Sequence, residues 1–133
     1  MENKKSIEEE FEELTKIWNQ FLEMMKNNWI FDPWLRNKTC QDLIEELRSE
    51  IYEFEIETNI QNKNKEMGDI LWDVFNLMYV YCKENNVSTS TPLKEIIEKM
   101  KKRKPYIFEK RFVNLEEAKR IWIETKKQEE NEK

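Results

Sequence analysis

The stretch Met67-Gly-Asp-Ile-Leu-Trp-Asp-Val-Phe-Asn-Leu-Met-Tyr-Val-Tyr-Cys82 decides the fold. Wound as a helix it is apolar on nearly all sides, which predicts a helix central to its domain. The 133-residue chain holds one Gly and three Pro in all. So few breakers cannot punctuate the many short strands of a sandwich or barrel. The expected class is all-α, a bundle of about five helices forming a single domain over residues 1–133.

Outward from that stretch, the helix is expected to run from about Lys65 to Glu84, after a polar, turn-like Asn59–Asn64 segment. A second helix is expected before it, opened by Thr39 with Asp42 three residues on and running to about Thr58. Upstream, Ser6 with Glu9 forms a capping pattern. Ile7, Phe11, Leu14, Trp18, Phe21, Leu22 and Met25 then recur at helical spacing, giving a first helix to about Asn27. Trp29–Lys38 reads as an irregular link. Downstream, Thr91 is the expected cap of a fourth helix, with Pro92 at its first position, ending before Pro105. Asn114 with Glu117 opens a last helix through Trp122, and Lys126–Lys133 is expected to fray.

Composition removes whole classes of chemistry. The chain has no His, so Ser-His-Asp and Cys-His nucleophiles and most zinc sites are excluded. Cys40 and Cys82 are too far apart in sequence for a metal-binding pair and too few for a disulfide framework; both are expected to be reduced and packed on helices. A net charge of -5 with no basic block argues against general nucleic-acid binding. No apolar run reaches the roughly 18 residues of a membrane span. Met1-Glu2-Asn3-Lys4-Lys5-Ser6 lacks a secretory apolar stretch, so a cytoplasmic location is expected.

Chemistry must then rest on carboxylates, and they cluster. Glu50 and Glu53 share one face of the second helix, with Glu46 and Glu57 on the same side, beside an apolar stripe of Leu43, Leu47, Ile51 and Phe54. On the third helix Glu66, Asp69 and Asp73 lie within about 60° of one another, flanked by Ile70, Val74 and Leu77. Desolvating clustered carboxylates costs several kcal/mol, and no Lys or Arg lies in that apolar stretch to offset it. A divalent cation would, and hard oxygen ligands suit Mg²⁺ or Mn²⁺. A charge run is equally the mark of a solvated face, the favoured reading for Glu46 and Glu57. Gly68 reads first as a close-packing position, and as room for a ligand second.

The ordered set Glu50-x-x-Glu53, a twelve-residue gap, then Glu66-x-x-Asp69 resembles the signature of the MazG-type all-α nucleoside triphosphate pyrophosphohydrolases. Glu66-Met-Gly-Asp-Ile-Leu71 is similar to the Glu-Leu-Gly-Asp-Leu-Leu segment of that family. Asp32-Pro33-Trp34 with Thr39, Lys102-Arg-Lys-Pro-Tyr-Ile-Phe108 and Trp122-x-x-x-Lys126 match further segments in order, over about residues 29–127. The resemblance implies hydrolysis of nucleoside triphosphates between the α and β phosphates, serving as nucleotide-pool housecleaning. It implies Glu50, Glu53, Glu66 and Asp69 as Mg²⁺ ligands, Glu53 as a candidate base for the attacking water, and Asp73 as an extra or supporting ligand. Lys102, Arg103 and Lys104 either neutralise phosphate or partner a helix dipole. Trp34 either stacks on a base or belongs, with Trp29 and Phe31, to a hydrophobic lid.

Departures from the family pattern lie at Ser49, where a paired acid is usual, at Asp32 and Leu35 around the Trp, and at Lys38 and Tyr106, where Gln and His are usual. Two alternatives therefore stay open, a relative selective for a pyrimidine deoxynucleotide and a non-catalytic helical interaction module. Because one pair of helices leaves wide apolar faces bare, the core is expected to be completed by oligomerisation, as a homodimer or dimer of dimers.

Overall fold

The computed structural model describes residues 5–132; Met1–Lys4, part of the leader reading above, and Lys133 lie outside them. The described residues form seven helices and no strand: α1 Ile7–Phe31, α2 Pro33–Arg36, α3 Cys40–Ile56, α4 Ile60–Glu84, α5 Thr91–Arg103, α6 Pro105–Phe108 and α7 Leu115–Asn131. The all-α class stands, with two four-residue helices beyond the five expected. None of the helices is long and apolar enough to cross a membrane. The chain divides into two compact units, Met1–Asn86 and Val87–Lys133.

In the first unit, polar caps set the helix starts. Ser6 accepts from the Glu9 N–H, and Thr39 and Asp42 exchange hydrogen bonds in a complete capping box. Asp32 closes α1 and opens α2 by accepting from the Trp34 N–H at 3.1 Å. α1 therefore runs four residues past the expected Asn27, and the expected link contains a helical turn. The Asn59–Asn64 segment is no turn. Asn59 caps the Asn62 N–H at 3.0 Å, and the polar residues after it form the first turns of α4. Asn and Gln read as loop formers, yet a good cap at Asn59 and the apolar helix beyond it outweigh their weak propensity.

The core of this unit is small. Met25, Leu35, Leu43, Val80 and Cys82 are its buried apolar side chains, Leu43 with 0% exposure. Trp29, Cys40, Leu77 and Tyr79 pack around Leu35, Leu43 and Val80. α3 and α4 form the principal pair, and α1 lies on α4. The α1 to α4 junction is aromatic: Trp18 and Phe21 pack edge-on against Phe75, and Trp29 stacks on Tyr79 at 4.7 Å. Asn76, buried at 1% exposure, accepts from Asn28 Nδ2 at 2.9 Å and Trp29 Nε1 at 3.3 Å, so its amide oxygen is satisfied. α4 is not covered all round as its sequence suggested, because Met67, Leu71, Val74 and Tyr81 are exposed. Cys40 and Cys82 are free thiols.

The second unit pairs α5 with α7 and joins α6 to α5. α5 begins after Ser90, one residue earlier than expected and without a side-chain cap, so that Thr91 and Pro92 fill its first two positions. Asn114 caps α7 through the Glu117 N–H at 2.8 Å, as its sequence indicates. α7 continues to Asn131 instead of ending near Trp122. Arg120 and Glu124 pair one turn apart, and Thr125 returns a hydrogen bond to the Ile121 carbonyl. None of these three helices buries a residue, while Leu93, Ile96, Ile97, Phe108 and Ile123 are exposed.

Candidate active site

The α3–α4 pair positions the acids. Leu43 anchors α3 in the core, and the residues that follow at helical spacing carry Glu46, Glu50 and Glu53 along the border of the packed face. Leu47 and Phe54 are half-buried beside them, whereas Ile51 turns out to solvent. Across the junction, α4 brings up Glu66, Asp69 and Asp73.

Three carboxylates converge. Glu50, Glu53 and Glu66 each offer an oxygen within 4.8 Å of the others. Glu50 and Glu66 are half-buried and Glu53 is at the rim. Glu50 Oε2 and Glu66 Oε2 are buried and have no hydrogen-bond partner. The Glu50 carboxyl is pushed up from 4.5 to about 7, by burial first, then by the close approach and charge of Glu53, and then by the charges of Asp69 and Asp73. Glu66 is raised as well, by burial foremost and then by Glu53 and Asp69. Without a counter-charge, the cluster resists full ionisation.

Asp73 is the deeply placed acid, at 7% exposure, and its carboxyl rises from 3.8 to about 6 through burial, then through Glu46 and Asp69. Asp69 is exposed and stands outside the three converging groups, although its charge acts on Glu50, Glu66 and Asp73. The burial expected for Asp69 and Asp73 alike therefore holds for Asp73 alone. Glu46 is not simply solvated: it is half-buried, pairs with Lys38 at 3.6 Å and bears on Asp73. Its spacing one turn before Glu50 was a signal for this, but Lys38 comes from another part of the chain. Gly68 has nothing within 4 Å of an added Cβ, so close helix packing is not the reason for it.

Trp34, 44% exposed on α2, lies under the Lys38 ammonium, 4.2 Å from its ring centroid. Lys102, Arg103 and Lys104 belong to the second unit. There Arg103 is held by Glu129 at 2.7 Å and lies over Trp122, which Lys104 also faces; Lys102 is exposed.

Whether these groups suit a divalent cation can be judged from the donors. Two orphaned, buried carboxylate oxygens and a third at the rim form a hard, anionic, all-oxygen set. They fit Mg²⁺ or Mn²⁺, and a cation there would relieve both the burial and the mutual repulsion.

An all-α fold whose main helix pair carries such an acidic cluster defines the class. Residues 38–108 match the MazG nucleotide pyrophosphohydrolase domain, and the chain belongs to that family. It is similar to the MazG-related protein from Thermotoga maritima, known from a crystal structure, at 29% identity and a TM-score of 0.74 over 82% of this chain and 98% of that one. No curated protein matches.

Proposed function

We propose that this protein is a divalent-metal-dependent pyrophosphohydrolase. It would cleave nucleoside triphosphates between the α and β phosphates, releasing a monophosphate and pyrophosphate, with broad housecleaning scope in the cytosol. The observation that carries this reading is the pair of unpartnered, buried oxygens on Glu50 and Glu66, within one cluster with Glu53. Buried acceptors left unmade cost about 1–3 kcal/mol each, more when charged, and a bound cation would remove that cost at both.

Glu50, Glu53, Glu66 and Asp69 are the proposed Mg²⁺ ligands, and Mn²⁺ would serve equally. When bound, the ion would supply Lewis-acid polarisation of the phosphate oxygens and of the attacking water. Glu53, at the rim and open to solvent, is the candidate to take the proton of that water on a carboxylate oxygen. Asp73, buried one turn beyond Asp69, would serve as a supporting or additional ligand. Lys102, Arg103 and Lys104 are the proposed phosphate contacts, and of these Arg103 already pairs with Glu129 at 2.7 Å. Trp34, 44% exposed with Lys38 over its ring, is the proposed contact for the base.

The family match runs from residue 38 to 108 and so crosses the boundary at Asn86, which supports both units serving one catalytic domain. A homodimer or dimer of dimers would cover the exposed Met67, Leu71 and Val74 on α4 and the apolar residues of α5. The test is purified protein, Mg²⁺ and the eight common nucleotides, with chromatography of the products. Monophosphate and pyrophosphate are expected; diphosphate and phosphate, or no products, would reject the reading.

A further inference from the structure

Lys38 is the one cation, among the described residues, within ion-pair distance of any acid on α3 or α4. Its backbone is fixed. The Lys38 N–H donates to the Leu35 carbonyl at 3.2 Å, and the next residue is the capping-box Thr39. From that anchor the side chain reaches between two elements, with Nζ 4.2 Å from the Trp34 ring centroid and 3.6 Å from Glu46 Oε1. A separation of 3.6 Å exceeds the N–H···O range of about 2.7–3.2 Å, so the pair is Coulombic and loose. Glu46 precedes Glu50 by one helical turn, about 6 Å along α3. The ammonium therefore stands one turn beyond the converging carboxylates, on the side of Trp34. The family that the chain resembles has an uncharged Gln at this position, so the charge is a feature of this chain.

We propose that Lys38 is a substrate-contacting cation, which leaves Glu46 to bind an oxygen of the phosphate chain on its nucleoside side. This rests on the pyrophosphohydrolase reading above. The exchange is favourable because a loosely held carboxylate is replaced by a more highly charged anion, and because a lysine ammonium is a point charge on a flexible stem that needs no fixed fork geometry. Trp34 limits how far the stem can stray, which keeps the charge at the acid row.

The experiment compares wild type, Lys38→Gln and Lys38→Arg in the presence of Mg²⁺. It reads KM and kcat for nucleoside triphosphates, calorimetric Kd for the same nucleotides, inhibition by inorganic triphosphate, and Tm. Lys38→Gln is expected to raise KM and Kd about tenfold, the scale of a lost charged hydrogen bond, with kcat changed by less than about threefold. Inorganic triphosphate should weaken in step, and Lys38→Arg should restore most of the loss. Unchanged KM and unchanged triphosphate inhibition would overturn the proposal. So would a fall in Tm that Lys38→Arg fails to restore, since that marks a tie between Trp34 and α3 only. A wild type that binds nucleotides without turning them over would refute the functional reading alone, because Kd still scores Lys38. A wild type that does neither refutes both.

Discussion

Removing divalent cations should make this protein less stable as pH rises toward neutrality, the reverse of ordinary acid denaturation. Glu50 and Asp73 carry carboxyls raised in the fold to about 7 and about 6, from 4.5 and 3.8. A carboxyl whose folded pKa lies above its unfolded one binds its proton more tightly in the fold. Its contribution is complete below the unfolded value and is lost as pH climbs through the folded one. The window is therefore from about pH 4.5 to about pH 7. At about 1.4 kcal/mol per unit each group would give about 3 kcal/mol, but both sense the same neighbouring charges and Glu50 is only half-buried. After screening, about 1–2 kcal/mol for the two together is the expected scale. For a chain of this size that is a drop in Tm of about 4–8 °C.

Few other groups blur the window. The chain has no His, and the carboxyls of Asp42 and Glu129 are pulled down by Thr39 and Arg103, so their losses fall below the window. Calorimetric or circular-dichroism melts in EDTA between about pH 5 and about pH 7.5 provide the assay, repeated with Mg²⁺ and with Asp73→Asn. Mg²⁺ should flatten the slope by stabilising the ionised cluster, and Asp73→Asn should remove part of it. A Tm in EDTA that is constant or rises across the window would refute the reasoning.

Glu66→Gln and Glu50→Gln should each lower kcat/KM at least about a hundredfold while leaving far-ultraviolet circular dichroism unchanged; near-normal turnover would remove them from the metal set. Asn76→Ala strips the acceptor shared by Asn28 and Trp29 and should cost roughly 2–3 kcal/mol in urea unfolding, with no change in the metal requirement. Gly68→Ala meets open space in the helix and should stabilise the protein by about 0.5–1 kcal/mol; a loss of activity alongside that gain would show that the space admits substrate or a second subunit.

The fold was legible where local chemistry and packing agree. Thr39 and Asn114 are caps in sequence and in space, and the apolar run from Met67 to Cys82 is helical throughout. Boundaries failed where polar residues continue a helix. Gln61 to Asn64 extend α4 toward its amino end because Asn59 caps it, and α7 runs past Trp122 to Asn131 with one pair, Arg120–Glu124, bridging that point. The spacing Glu50-x-x-Glu53 and the position of Glu66 anticipated a shared face on each helix, and the structure brings these three together. Spacing could not tell that Asp73 is buried and Asp69 exposed, because one turn of helix separates them and the neighbouring helix decides which is covered. The Lys38–Glu46 contact was invisible for a similar reason, depending on how α2 delivers the chain to α3.

Clustered carboxylates in a partly buried junction are proposed to hold a divalent ion. Isothermal titration of the metal-free protein with Mn²⁺ and Mg²⁺ near pH 6.5, in buffers of differing ionisation enthalpy, tests this most directly. Saturable uptake is predicted, with release of the proton that Glu50 largely holds at that pH, and with both signals lost in Glu50→Gln combined with Glu66→Gln. Absence of uptake, with or without a nucleoside triphosphate present, would contradict it.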